Sequence, residues 1–270
     1  MSEHPTSNIQ QPTANSQARA VLVMTATITP PANTPLLDRS DPALRRKDYQ
    51  EALRFYLGIP TEQLGAIIFL ENSGSDLSDL KTLAHQTGQG KEVEIIGLPA
   101  NTESPKFGKG YGEFKMLDQG LASSRILQPT DILWKVTGRL KVLNLADLIA
   151  TAPDHYDLYC DLRSVPLIGE RMGGNNWMEL RTFSCTVPTY DRLMRGHYLQ
   201  MKGISPEQYF FKPVKDQWRQ RVKGIVPRFR IQPRFGGFGG HRNADYQGAS
   251  YRRKDAIRSL GRRLVPALWL

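Results

Sequence analysis

The chain has 270 residues, 40% of them hydrophobic and 23% charged, with a formal net charge of +10. That length suits one large domain or two small ones with a core that needs no staples. The two cysteines, Cys160 and Cys185, sit in apolar surroundings that fit a reducing cytoplasm, which excludes a disulfide scaffold and a Cys-x-x-Cys zinc site. Residues 211–270 hold 15 Lys and Arg against 3 Asp and Glu, while the first 210 hold 21 against 23. The C-terminal part therefore asks for an anionic partner: a membrane surface, a nucleic acid or a phosphorylated ligand.

Residues 1–18 are rich in Ser, Thr, Gln, Asn and Pro and read as a disordered tail without a basic-then-apolar signal. Residues 20–25 form an apolar, β-branched run expected to be a buried strand. Asp41 as N-cap and Pro42 at the first helical position open a helix through Leu57, stopped by Gly58, with Leu44, Tyr49, Ala52, Leu53, Tyr56 and Leu57 as its apolar face. A second strand spans 64–70. Its apolar run is far shorter than the roughly 20 residues of a membrane span. A helix capped by Asp76 or Ser78 runs to His85, a third strand covers 91–97, and a helix covers 112–123 with Phe114, Leu117 and Leu121 on one face. Strands follow at 131–136, 156–160 and 179–185, with helices at 145–150 and 188–200. Past residue 226 the pattern gives way to a loop, Pro227-Arg-Phe-Arg-Ile-Gln-Pro-Arg-Phe-Gly-Gly-Phe-Gly-Gly240, and then to a basic helix candidate over 250–270. Alternating strands and helices predict a Rossmann-like α/β fold, with a mainly parallel central sheet flanked by helices. Three parts are expected: the tail, a body over 19–245, and a basic amphipathic helix over 246–270.

In such sheets ligands sit at the carboxyl ends of strands, and here those ends are polar: Thr25-Ala-Thr27, Glu71-Asn72-Ser73, Thr137-Gly138-Arg139 and Asp161-Leu-Arg163. Two glycine-containing charged segments stand out, Lys109-Gly110-Tyr-Gly112-Glu113 and Lys135-Val-Thr137-Gly138-Arg139, the second followed by Asn144. Glycine lets the backbone approach a ligand, and Lys and Arg grip phosphate. Lys109 to Glu113 precede a helix start, where N–H groups favour anions. Lys135, Thr137 and Arg139 share one face of a strand and need partners there, either a polyanionic ligand or an internal pair with Asp131 or Asp161.

Taken in order, the Thr-rich turn before Arg45-Arg-Lys-Asp48-Tyr49, Glu71-Asn-Ser-Gly74, the two charged glycine segments and Cys160-Asp-Leu-Arg163 resemble bacterial glycosyltransferases of the GT-A type used in capsule and lipopolysaccharide assembly, over residues 20–245. The resemblance implies transfer of a sugar from a nucleotide-sugar donor to a saccharide or lipid-linked acceptor. On that basis Thr25, Thr27, Glu71, Asn72, Ser73, Lys109, Gly110, Gly112, Glu113, Lys135, Thr137, Gly138, Arg139, Arg163 and His241 are expected around the donor. The family pattern puts an Asp-x-Asp pair at a strand tip to hold a divalent cation, Mn2+ or Mg2+. Here Arg163 replaces the second carboxylate. Asp161 remains a candidate metal ligand, Arg163 a candidate substitute for the cation, and a plain Asp161–Arg163 salt bridge the third option. An acceptor hydroxyl must lose its proton, so Asp161, Glu170 and Glu179 are the catalytic candidates, with Asp191 and His241 behind them. The apolar positions Ile257, Leu260, Leu264 and Leu268 between arginines suit a helix lying on an anionic membrane, on the cytoplasmic face. The rival class is a nucleic-acid binder using the Arg/Phe/Gly segment.

Overall fold

The computed structural model describes residues 18–32, 34–88, 90–165, 175–241, 243–265 and 269. In chain order the elements are β1 (Ala20–Ala26), α1 (Pro42–Leu57), β2 (Ala66–Glu71), α2 (Ser78–Thr87), β3 (Glu92–Gly97), α3 (Gly108–Ser123), β4 (Ile132–Thr137), β5 (Lys141–Val142), α4 (Leu145–Ala150), β6 (Leu158–Tyr159), β7 (Leu162–Arg163), β8 (Trp177–Met178), β9 (Thr182–Thr186), α5 (Val187–Leu193), α6 (Pro206–Arg219), β10 (Ile225–Val226), β11 (Phe235–Gly236) and α7 (Ala249–Leu264). No helix among the described residues is long and apolar enough to cross a membrane.

The central sheet has seven strands in the order β10-β6-β9-β4-β1-β2-β3. β3, β2, β1 and β4 run parallel, β9 runs antiparallel to both neighbours, and β6 and β10 are parallel to each other. The expected Rossmann-like α/β fold, with a mainly parallel sheet between helices, is therefore the observed one. Side chains alternate across the strands, so β1 feeds two cores. Val21 and Val23 pack with Phe114 and Leu117 of α3 and Phe210 of α6, whereas Leu22 and Met24 pack with Tyr49, Leu53 and Tyr56 of α1 and Leu148 of α4. Both thiols are buried in this sheet, and burial pushes each above its ordinary pKa.

Local chemistry accounts for the element ends. Asp41 caps α1 by accepting hydrogen bonds from Ala43 N at 2.7 Å and Leu44 N at 3.2 Å, Pro42 opens the helix, and Gly58 closes it. Leu44 departs from the expected apolar face and is exposed; Arg45 and Asp48 take buried places instead. The helix expected from 112 begins earlier, at Gly108, so the first charged glycine segment is helical. The helix expected over 188–200 stops at Leu193, and Gly196, at φ 78°, turns the chain into a short 3-10 turn at His197–Gln200. α6 had no counterpart among the sequence-predicted elements. Residues 1–17 of the expected tail, and Leu268 of the C-terminal apolar positions, lie outside the described residues.

Candidate functional site at the carboxyl edge of the sheet

Parallel register brings three polar tips side by side. Thr25 pairs with Leu70 on one flank and Thr137 on the other, and Ala26 pairs with Glu71. Thr27 Oγ1 donates to Asn72 Oδ1 at 2.7 Å, and Gly138 N donates to Thr25 O at 2.9 Å. A Cβ on Gly138 would lie 2.7 Å from Thr25 O, so this glycine serves the close approach of two strands rather than a donor molecule. Glu71 is fully buried. Its Oε1 accepts from Ile28 N at 2.9 Å and its Oε2 from Ser73 N at 2.9 Å, so it fixes the turn and does not face a ligand. Arg45 and Tyr49 pin the same turn: Arg45 Nε donates to Thr27 O at 2.7 Å and Thr27 N to Tyr49 Oη at 2.9 Å.

The cations of this edge divide by their partners. Lys135, 2% exposed, pairs with Glu113 Oε1 at 2.6 Å and donates to Leu180 O at 2.6 Å; Thr25 Oγ1 also donates to that Glu113 oxygen at 2.8 Å. The internal pair expected with Asp131 or Asp161 is made with Glu113 instead, because α3 starts early and carries Glu113 over the strand, while Asp131 pairs with Arg19 at 2.8 Å. Gly110 and Gly112 are packing positions: an added Cβ would meet Pro206 Cγ at 2.4 Å and Asn101 Nδ2 at 3.0 Å. Lys109 and Arg139 differ from Lys135. Neither is ion-paired among the described residues. Arg139 Nη1 donates to Phe238 O at 2.8 Å and Lys109 Nζ to Leu36 O. Partial burial, then the charges of Arg139 and Arg45, hold Lys109 below the usual lysine range. The two carbonyls belong to neighbouring segments, joined by Asp38 N donating to Gly240 O at 3.0 Å. His241 stands 3.9 Å from Asp38.

Asp161, Arg163 and Glu179 form a separate group toward β6, under α7. Asp161 Oδ1 accepts from Phe229 N at 2.8 Å and Arg262 Nη1 at 3.0 Å, and its Oδ2 from Arg262 Nη2 at 2.7 Å. Its salt bridge is thus with Arg262, 101 residues away, and not with Arg163. Both oxygens are spoken for, which argues against Asp161 as base or metal ligand. No group of three or more His, Cys, Asp or Glu among the described residues could hold a metal ion, so Mn2+ or Mg2+ finds no fitting donor set there.

Glu179 accepts from Arg181 Nε at 2.8 Å and lies 4.0 Å from Arg163. Burial by itself would raise its pKa, but the charge and hydrogen bonds of Arg181, then Arg163, hold it at about 2. So acidic a carboxylate is a poor proton acceptor near neutral pH, which removes Glu179 as a base. Arg163 is pulled down to about 10 by burial, against the attraction of Glu179 and with Arg258 and Arg181 adding to the fall. It lies over the Trp177 ring, 4.6 Å from its centroid, and does not join Lys109 and Arg139. The two groups touch through backbone: Thr137 N donates to Arg181 O at 2.9 Å. Asp191 pairs with Arg195 at 2.6 Å. Glu170 lies outside the described residues.

No family model and no curated protein matches the sequence. Among solved structures, the glycosyltransferase GlyE of Streptococcus pneumoniae TIGR4 is similar at 9% identity with a TM-score of 0.44, over 78% of this chain and 45% of that one. The chain thus spans less than half the length of that protein.

Sequence reasoning missed Arg45, Arg181 and Arg262 as organisers. Only Arg181 carried a signal, its i+2 spacing from Glu179 on an extended segment, which puts both side chains on one face. The Arg/Phe/Gly segment also reads differently in space. Phe229 and Phe235 are buried, Phe229 against Trp134 with ring centroids 6.2 Å apart, while Phe238 is 37% exposed with Arg39 4.4 Å from its ring centroid.

Proposed function

We propose that the chain is a glycosyltransferase that moves a sugar from a nucleotide-sugar donor to a saccharide or lipid-linked acceptor in polysaccharide or cell-envelope biosynthesis. One observation carries it: Lys109 on α3 and Arg139 after β4, close enough for the charge of Arg139 to lower the pKa of Lys109, each donate to a backbone carbonyl and have no ion pair among the described residues. Cationic donors with no carboxylate partner, at the ligand end of a doubly wound sheet, suit a diphosphate. As the bond from the anomeric carbon to the diphosphate breaks, negative charge grows on the leaving oxygens, and Lys109 and Arg139 stabilise it. Thr27, Asn72 and Ser73 frame the nucleotide. Glu170 is the proposed acceptor base, since Asp161 and Glu179 are committed to guanidinium partners.

Docking to the inner face of the cell membrane through α7 belongs to this proposal. Ile257, Leu260 and Leu264 are 61%, 57% and 71% exposed on one face of α7, beside the exposed Arg253, Lys254 and Arg263.

The test is a melting screen against UDP-, GDP- and CMP-sugars, with Mn2+ and with EDTA. One nucleotide sugar raises Tm in both conditions, because arginine and lysine and not a metal carry the phosphates. Ligand at one hundred times its Kd adds about 2.7 kcal/mol. Lys109→Ala and Arg139→Ala together abolish the shift without lowering the unliganded Tm. A shift that survives the double variant, or no shift with any donor, overturns the assignment.

A further inference from the structure

α7 presents three different faces, set by its 3.6-residue turn. Tyr251, Arg258 and Arg262 turn toward the body, and Ile257, Leu260 and Leu264 turn outward. Between them, Arg252, Asp255, Ala256, Ser259 and Arg263 line one wall of a groove of about 620 Å³, whose other wall is Leu143, Asn144 and the stretch 230–235. Five arginines (Arg230, Arg234, Arg252, Arg262 and Arg263) face this space against one acid, Asp255. Two of them have protein partners: Arg262 grips Asp161, and Arg230 Nη1 donates to Thr151 O at 3.2 Å. Arg234, Arg252 and Arg263 are exposed and form no ion pair among the described residues. The size lies within the ~300–1,000 Å³ of ligand pockets.

We propose that this groove is a binding site for a phosphate-bearing ligand, with Arg234, Arg252 and Arg263 as its anion clamp. Guanidinium forks match phosphate oxygens bidentately, and three of them from two elements balance a charge greater than one, which favours a phosphate or diphosphate over a lone carboxylate. The apolar members Leu143, Ile231 and Ala256 leave room for a hydrocarbon or ring attached to the phosphate. A soluble phosphate compound and a lipid headgroup share this chemistry. The groove is distinct from the carboxyl-edge site of Lys109 and Arg139, and the inference stands whether or not the chain transfers sugars.

The experiment uses the full chain and two probes: inorganic pyrophosphate by calorimetry, and sedimentation with phosphatidylglycerol/phosphatidylcholine vesicles against phosphatidylcholine alone. Arg252→Ala/Arg263→Ala, at exposed positions, weakens binding of at least one probe by about tenfold or more, while Lys109→Ala/Arg139→Ala leaves that component in place. Pyrophosphate binding lost in the first variant assigns a soluble ligand. Loss confined to phosphatidylglycerol vesicles and not fully restored by Arg252→Lys/Arg263→Lys assigns a lipid phosphate in the groove, whereas full restoration by lysine marks charge attraction of the α7 surface and overturns the groove as the site. Arg252→Lys/Arg263→Lys, which keeps charge but not the fork, recovers only part of the affinity. If neither probe binds, or binding is indifferent to the Arg252/Arg263 variants, the groove is not a phosphate site.

Discussion

Replacing Glu179 with Gln separates a structural carboxylate from a catalytic one. Glu179 is 4% exposed at its side chain and holds Arg181 and Arg163 beneath α7. Its pKa falls from an ordinary 4.5 to about 2 in the folded chain. At about 1.4 kcal/mol per pH unit, that depression contributes on the order of 3 kcal/mol to stability. The sign follows from the direction: a depressed carboxylate stabilises the fold above its unfolded pKa, and the contribution is lost as pH falls through 4.5 toward about 2. That figure already contains the loss of the anion facing Arg181 and Arg163, so Glu179→Gln costs about 3 kcal/mol at neutral pH. For a chain of this size the loss corresponds to a Tm lower by about 6–12 °C. Urea unfolding of both proteins across the acid range checks it. The gap between wild type and Glu179→Gln is full near neutrality, narrows below 4.5 and closes at about 2. A gap that does not change with pH refutes the ion-pair account. A variant of unchanged stability that has lost donor turnover returns Glu179 to the list of bases.

Asp161→Ala leaves Arg262 buried without its anion and costs about 3–5 kcal/mol, whereas Asp161→Ala/Arg262→Met recovers part of that loss; urea midpoints of the two variants decide it, and equal losses refute the pairing. Gly110→Ala gains about 1 kcal/mol in helix propensity but drives a methyl to 2.4 Å from Pro206, so overpacking of about 1–3 kcal/mol wins; thermal unfolding shows the net loss, and donor affinity of the folded fraction is unchanged. Asp41→Ala removes the acceptor for two orphan N–H groups of α1 and lowers stability by about 1 kcal/mol, read from the same unfolding curves.

What the sequence disclosed follows from how local each signal is. The Asp41-Pro42 start and Gly58 stop are written in adjacent residues, and α1 has those bounds. The strand cores around 22, 68 and 134 are apolar runs that only a buried sheet accommodates. α6 was not legible, because Pro213 stands within it and reads as a breaker. The start of α3 was misplaced because glycines at 108, 110 and 112 read as loop; those at 110 and 112 are there for Pro206 and Asn101, the first of them far away in sequence. The site was half legible for the same reason. Polar strand tips are local and were found together at one edge. The partners of the charges are not local: Lys135 meets Glu113, and Asp161 meets Arg262 from 101 residues away. A carboxylate followed by an arginine two positions on looks like a ligand pair until a third residue is seen to take both its oxygens.

Lys109 and Arg139 differ from the other cations of this edge in having a single backbone carbonyl each as acceptor among the described residues. Along the edge the cations Lys135, Arg181, Arg262 and Arg39 each face a carboxylate (Glu113, Glu179, Asp161 and, at 2.5 Å from Arg39, Asp48), whereas Arg45, 4% exposed, donates to Thr27 O, Arg39 O and Tyr49 Oη and has no ion pair among the described residues. A buried charge keeps its place only with such partners, one carboxylate or several neutral acceptors. Lys109 and Arg139 are less deeply buried and can remain with carbonyl acceptors, Leu36 O and Phe238 O. A diphosphate offers stronger, charge-assisted acceptors than a carbonyl, so it would take both cations from those carbonyls at once. Gly240 O ties the two segments together through Asp38 N and Arg39 N. On the proposed function, exchange at one cation would loosen the other segment as well, so that donor entry and movement of these two segments would be one event. Hydrogen exchange at the Asp38 and Arg39 amides reports it: faster exchange with donor bound accords with the coupling, and unchanged protection refutes it.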